Sequence, residues 1–275
     1  MIELPEAAVL ADQLNKKIKG RIIKKVITAQ SPHKFAWYQG NPRYYNSLLK
    51  GKIINNSANA GGIVEIKVDD SVIALSDGAG VRYHFDNKEL PKKHQLLIEL
   101  DNATYFSVSI QMYGGILCFK EGECSNKYYL TAKEKPSPFS KKFSEKYFDM
   151  IISSDDLQDK SIKFLLATGQ RIPGLGNGVL QDILFNAKIH PKRKVADLSD
   201  KNRRELFHSI KKVLADMIKK RGRDTEKDLY GNYGGYITKL SKNTVGRPCK
   251  NCGTMIKKEN YMGGSIYYCS YCQKL

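Results

Sequence analysis

Four cysteines close the chain in two tight pairs, Cys249-x2-Cys252 and Cys269-x2-Cys272, with sixteen residues between the pairs. Each pair suits the knuckle of a β-turn, and two knuckles bring four thiolates to one metal ion, at about 2.3 Å from each sulfur. The stretch between them reads as a hairpin: MIKKEN, a turn at Tyr261-Met262-Gly263-Gly264, then SIYY. So short a loop cannot enclose a substrate pocket around an open coordination position. With four sulfur ligands the shell is closed, and the expected ion is one structural Zn2+ on Cys249, Cys252, Cys269 and Cys272. The end of the chain must therefore fold as a zinc-finger hairpin.

Composition narrows what such a finger serves. At 275 residues two domains are expected, each long enough for its own core. No run approaches the ~18 consecutive apolar residues of a membrane helix. The opening lacks the basic-then-apolar order of a secretory signal, so a cytoplasmic, nucleoid-associated protein without membrane contact is expected. Outside the finger only Cys118 and Cys124 remain, too few for a disulfide scaffold. The net charge is +18 and the sequence pI about 9.5. Residues 151–275 hold 24 Lys and Arg against 12 Asp and Glu, while residues 1–150 hold 22 against 16. The C-terminal half stays the more basic even with zinc-bound thiolates counted. A phosphate backbone is the partner this imbalance fits, although a solvated lysine surface gives the same totals.

Periodicity predicts an α+β protein of two domains. Ala7, Leu10, Ala11, Leu14 and Ile18 recur at helical spacing, Pro5 suits the first turn, and Gly20 ends the helix. From Arg21 to about Phe119 come RIIKKVITA, GIVEIKV, SVIAL, GVRYHF, QLLIEL, TYFSVSI and GILCF. These short β-rich runs, parted by Gly, Asn and Asp, predict an antiparallel sandwich or barrel. A polar linker containing Pro136 and Pro138 follows. Three apolar stripes then predict helices: one from Ile162, Leu165 and Leu166; one from Val179, Leu180, Ile183, Leu184 and Ala187; one from Leu206, Ile210, Val213, Leu214 and Met217, capped near Ser199 or Asp200. Residues 221–248, rich in Gly, Asn, Lys and Tyr, predict a loop. The expected divisions are 1–120 for a catalytic-type β-sandwich domain with its N-terminal helix, 121–150 for the linker, 151–240 for a helical DNA-binding domain, and 241–275 for the finger.

Between the first two of those helices lies Gly169-Gln170-Arg171-Ile172-Pro173-Gly174-Leu175-Gly176-Asn177. Its glycines permit positive-φ turns and close backbone approach, and the helix that follows presents free N–H groups to a phosphate. Asn177, at that helix start, suits either a cap or a phosphate contact. A plain helix–turn–helix connection explains the segment about as well. Three stretches now stand together: Glu3-Leu4-Pro5-Glu6 at the opening, Ile172 to Asn177 running on to Ala187-Lys188-Ile189-His190-Pro191, and the closing cysteines followed by Gln273-Lys274. On these residues the chain resembles the formamidopyrimidine-DNA glycosylase/endonuclease VIII (Fpg/Nei) family. The order of elements agrees too: N-terminal helix, β-sandwich, helix–two-turns–helix, terminal zinc finger.

The resemblance implies a two-lobed DNA repair enzyme that clamps damaged double-stranded DNA, extrudes the lesion nucleotide and breaks its N-glycosidic bond. Family members use the amine of an N-terminal proline as nucleophile and the glutamate after it as acid/base. Glu3 matches that glutamate, and Glu6 matches a second acidic residue of the signature. Lys163, Gly176 and Asn177 are the DNA contacts expected from the helical turn region.

The departures are as informative. The proline position is Ile2. A large second residue favours retention of Met1, so the nucleophile is either the amine of Met1 or a water activated by Glu3 or Glu6. An amine displaced by about 1 Å loses roughly 10²-fold in rate. The family's β-hairpin lysine falls at Ala60, its void-filling methionine at Gly78, and its phosphate-gripping finger arginine at Gly264. Lys257 and Lys258 are expected to contact phosphate in its stead, as point charges rather than a fork. Gln111, Met112 and Tyr113 are expected either to wedge into the gap left by an extruded base or to be ordinary side chains at a strand end.

Other residues admit two readings each. Glu3 and Glu6 suit the first turn of a helix on electrostatic grounds alone. His33, Lys34, Phe35, Trp37 and Tyr38 form a basic, aromatic cluster that faces DNA or packs. Arg221, Arg223 and Lys227 alternate with Asp224, Glu226 and Asp228 and are expected to pair locally. His190 reads as a structural residue at a helix end. Residues 222–235 fall where the family has a mobile lesion-covering loop. The expectation is a monomeric glycosylase with strand nicking weak or absent. A non-catalytic binder of damaged DNA on the same scaffold is the alternative, and a structured-RNA binder the third.

Overall fold

Glu3, Pro5 and Glu6 start the chain's first helix in the computed structural model, which describes residues 1–88 and 90–275. Helix α1 (Leu4–Ile18) takes Pro5 in its first turn, where a missing N–H costs nothing, and Glu6 reaches back to the Glu3 N–H at 3.3 Å. Its apolar stripe is divided between two cores. Leu4 packs among the residues of the helical lobe, whereas Ala7, Leu10, Leu14 and Ile18 lie in the sandwich.

The sandwich is built from β1 (Ile23–Thr28), β2 (Ala36–Tyr38), β3 (Ile54–Ala60), β4 (Ile63–Val68), β5 (Ser71–Ser76), β6 (Ala79–His84), β7 (Leu96–Leu100), β8 (Tyr105–Ile110) and β9 (Gly114–Lys120), with a short helix α2 (Tyr45–Leu49) between β2 and β3. One sheet runs β1-β7-β8-β6 and the other β2-β9-β5-β4-β3. Neighbours are antiparallel except β2 and β9, which are parallel. Central strand β5 is buried on both faces: Ile73 and Leu75 point into the sandwich, Val72 and Ala74 the other way.

That second face explains a departure from the sequence reading. Residues 121–150 are not a bare linker, for they hold α3 (Lys127–Glu134) and most of α4 (Glu145–Ile152), capped by Asn126 and Ser144. Tyr129 and Ala132 of α3 cover Val72 and Ala74, and Phe148 and Ile152 of α4 enter the helical core.

The second lobe comprises α5 (Ile162–Ala167), α6 (Val179–Asn186) and α7 (Asp200–Lys219), the last capped by the Ser199 hydroxyl. Residues 221–248 form an irregular segment, as expected, yet they bury Leu229, Tyr236 and Leu240. The finger pairs β10 (Lys257–Tyr261) with β11 (Gly264–Tyr268) through Met262 and Gly263, whose φ angles of +51° and +70° give the positive-φ turn that suits a two-residue hairpin. Among the described residues no helix is long and apolar enough to cross a membrane.

Candidate active site and metal centre

No side chain of its own caps α6. Glu3 does so from across the sequence: Oε1 accepts the Gly178 N–H at 2.8 Å and Oε2 the Val179 N–H at 2.7 Å. A carboxylate there satisfies orphan donors and meets the positive end of the helix dipole. The fit requires glycines. A Cβ on Gly176 would stand 2.6 Å from Glu3 Oε1, and one on Gly178 would stand 1.7 Å from Arg223 Nη1.

Arg223 is the counterion. Its Nε and Nη2 donate to the two carboxylate oxygens of Glu6 at 2.9 and 2.7 Å, while Nη1 lies 3.4 Å from Glu3 Oε2, all three side chains being buried. The expected local pairing of Arg223 is thus overturned, because its guanidinium turns inward to α1. Burial pushes the Glu3 carboxyl above the usual carboxylate range, opposed by Arg223 and the two N–H groups and reinforced by Glu6. Glu6 holds the better share of the fork. Burial thus disposes the Glu3 carboxyl to carry a proton.

The chain's first amine is not free either. The Met1 ammonium pairs with Glu226. The Ile2 N–H donates to the Asp77 carbonyl at 2.6 Å, and the Ile2 side chain is buried in the sandwich core. An ammonium in an ion pair has no lone pair to offer until it loses a proton.

Six of the residues singled out in the sequence share one cleft of about 300 Å³: Met1, Glu3, Tyr113, Lys163, Gly176 and Asn177, with the finger turn Met262–Gly264 as a further wall. Glu6 and Gln111 line an adjoining cleft of about 340 Å³, which Met1 also reaches. Met112 is 65% exposed beside them. Lys257 and Lys258 stand exposed on β10, outside both clefts. Lys163 Nζ instead donates to the Tyr261 carbonyl and lies 3.6 Å from where a Gly264 Cβ would be. A cation therefore faces the place of the missing finger arginine, and partial burial lowers its pKa. Asn177 neither caps α6 nor points free. Its Nδ2 donates to the Ser265 carbonyl at 2.8 Å, tying the turn to the finger.

Close packing surrounds two other departures. The β3–β4 hairpin tip abuts the glycine-rich turn: a Cβ on Gly61 would lie 2.5 Å from Pro173 Cβ, and one on Gly174, at φ +83°, 2.4 Å from Gly62 N. Backbone fills the space at the tip, next to Ala60. At Gly78 a Cβ would meet the Tyr113 carbonyl at 2.5 Å, so no void remains for a methionine. Asp77, beside it, lines both clefts and escaped the sequence reading altogether.

In the finger the four cysteine sulfurs lie within 4.8 Å of one another. Separations of 3.9, 3.4 and 3.5 Å compare with about 3.8 Å between ligands of a tetrahedral site with 2.3 Å zinc–sulfur bonds. The cluster can hold one metal ion. Gln273, fully buried behind it, accepts the Cys269 N–H at 3.1 Å and donates to the Ile189 carbonyl at 2.9 Å, fastening the finger to the helical lobe.

Known proteins share this architecture. Residues 135–228 match the family described as the formamidopyrimidine-DNA glycosylase H2TH domain. A formamidopyrimidine-DNA glycosylase of Prochlorococcus marinus is 29% identical, with all of both chains covered. One from Bacillus cereus is 25% identical over 99% of each. The MutM (Fpg) protein of Thermus thermophilus has a TM-score of 0.81 at 20% identity, over 98% of both chains. The Lactococcus lactis Fpg in complex with DNA containing an abasic site has a TM-score of 0.83 at 22% identity, over 99% of this chain and 100% of that one.

Proposed function

The chain belongs to the formamidopyrimidine-DNA glycosylase/endonuclease VIII family, and on that premise we propose that it is a DNA glycosylase acting on a damaged or modified base in duplex DNA. The observation that carries the reading is the position of Glu3, a buried carboxyl of raised pKa, fixed by two backbone N–H groups in the wall of a cleft. Such a group delivers a proton to the sugar ring oxygen or to the departing base as the N-glycosidic bond breaks. The extruded nucleotide is reached in the cleft between lobes, where Lys163 and the backbone of the Gly174–Asn177 turn offer contacts to its phosphates. The four cysteines hold one Zn2+, which takes no part in the reaction and keeps the finger turn against the cleft.

Strand nicking by elimination needs a Schiff base, and thus an unprotonated amine beside C1′. Met1 is ion-paired and the hairpin lysine is replaced by Ala60, which supports base excision with nicking weak or absent. The same ion pairing favours one rival, a non-catalytic binder of damaged DNA that kept the clamp.

A lesion panel incubated with wild type and Glu3→Gln separates the two. Base release by wild type, reduced about 10²-fold or more in the variant, is expected, with strand breaks appearing only after alkali. If neither protein releases any base, the binder reading replaces the enzyme.

A further inference from the structure

Both acids nominated from the sequence are occupied. Glu3 faces two backbone N–H groups and Arg223, and Glu6 takes the Arg223 fork together with the Glu3 N–H. Neither is disposed to take a proton from water.

Asp77 is placed differently. It stands where three cavities meet: the cleft with Met1 and Glu3, the adjoining one with Glu6, and a third walled by Trp37, Tyr113 and Tyr128. Its carboxylate accepts one short hydrogen bond, from Ser76 Oγ at 2.9 Å, and one long one, from the Tyr128 hydroxyl at 3.5 Å. That leaves acceptor positions for a water or a substrate hydroxyl. Its carbonyl meanwhile clamps the Ile2 N–H, so Met1, Glu3 and this carboxylate are fixed relative to one another. The backbone at Asp77 has φ +56°, the left-handed region that a non-glycine residue enters at a cost. Burial raises its pKa, with Ser76, Tyr128 and the Met1 ammonium opposing, which makes it a stronger base than an exposed aspartate.

We propose that Asp77 is the general base of a purely hydrolytic cleavage, drawing a proton from a water that attacks C1′ of the extruded nucleotide. The assignment rests on the glycosylase reading above and specifies its nucleophile. The water oxygen bonds to C1′ as the C1′–N bond breaks, and that electron pair leaves with the base. Asp77 takes the water proton and Glu3 gives one to the leaving base. Return of a proton from Asp77 to Glu3 through solvent restores both groups. The products are the free base and an abasic sugar bearing a C1′ hydroxyl. The Met1 ammonium beside them acts as a charge and forms no bond to the sugar.

The test is Asp77→Asn, chosen because Asn keeps the shape and tolerates positive φ. Single-turnover base release on the lesion that wild type processes should fall about 10²-fold or more. Affinity for duplex carrying a tetrahydrofuran abasic analogue should stay at the wild-type value. Undiminished release by the variant overturns the assignment and leaves the glycosylase reading standing, whereas a wild type inactive on every lesion removes both. Borohydride trapping of wild type on abasic-site DNA needs no variant and stays decisive if Asp77→Asn does not fold. No covalent adduct is expected, and an adduct mapped to Met1 overturns the proposal.

Discussion

Arg223 carries two buried carboxylates on one guanidinium, so its removal is felt by both. Arg223→Met leaves Glu3 and Glu6 buried without a cation, and stability should drop by about 3–5 kcal/mol in urea denaturation at neutral pH. The loss should shrink on acidification. Burial already raises the Glu3 pKa above its unfolded value, and loss of the opposing cation raises it further, so the stability of the variant increases as pH falls toward the ordinary carboxylate range. None of this pairing was legible in the sequence, where Asp224, Glu226 and Asp228, which follow Arg223 closely, are the obvious partners. Asp77 was equally hidden, since an Asp-Gly between two strands reads as a turn and nothing more. Ile2, Ala60 and Gly264 were legible as departures, because each falls inside a motif whose other members are present. What they leave in their place, an ion-paired Met1 and a cleft-facing Lys163, required the folded chain.

Among the elements, the turn leading into α6 is the most exacting. Gly174 lies against Gly62 and Gly176 against the Glu3 carboxylate, so the turn touches the hairpin of one lobe and the acid of α1 at once. Gly176→Ala should cost about 1–3 kcal/mol, the usual penalty of overpacking, and a chemical denaturation curve reads it directly. A loss near zero would mean that the Glu3 side chain withdraws freely from its cap. The glycine spacing announced close approach here, though not to what. The longer helices were plain from periodicity, and the finger hairpin from its turn. Strand β3 was missed because INNSANA is a polar run with only Ile54 and Ser57 buried, and α3 because it buries only Tyr129 and Ala132. So few inward residues set no readable period.

At the scale of the whole molecule, the finger is a structural wall of the cleft as well as a basic tail. Gln273 and the Asn177–Ser265 contact join it to the helical lobe, and Met262–Gly264 reach the cleft. One zinc per chain is expected by elemental analysis. Its removal by a chelator should weaken binding to abasic-analogue DNA while β-sheet content by circular dichroism persists, since no cysteine of the finger enters the sandwich core. Metal content of zero in protein that binds DNA normally would overturn this role.

The Met1–Glu226 pair has a practical side for anyone preparing the protein. Any residue left ahead of Met1 by a tag or linker turns the ammonium into an uncharged amide and strands Glu226 at the mouth of the cleft. The extension would also enter the clefts that Met1 lines. Preparations that begin at Met1 and those that carry an extension thus differ chemically at the cleft, and a silent extended form says nothing about the other.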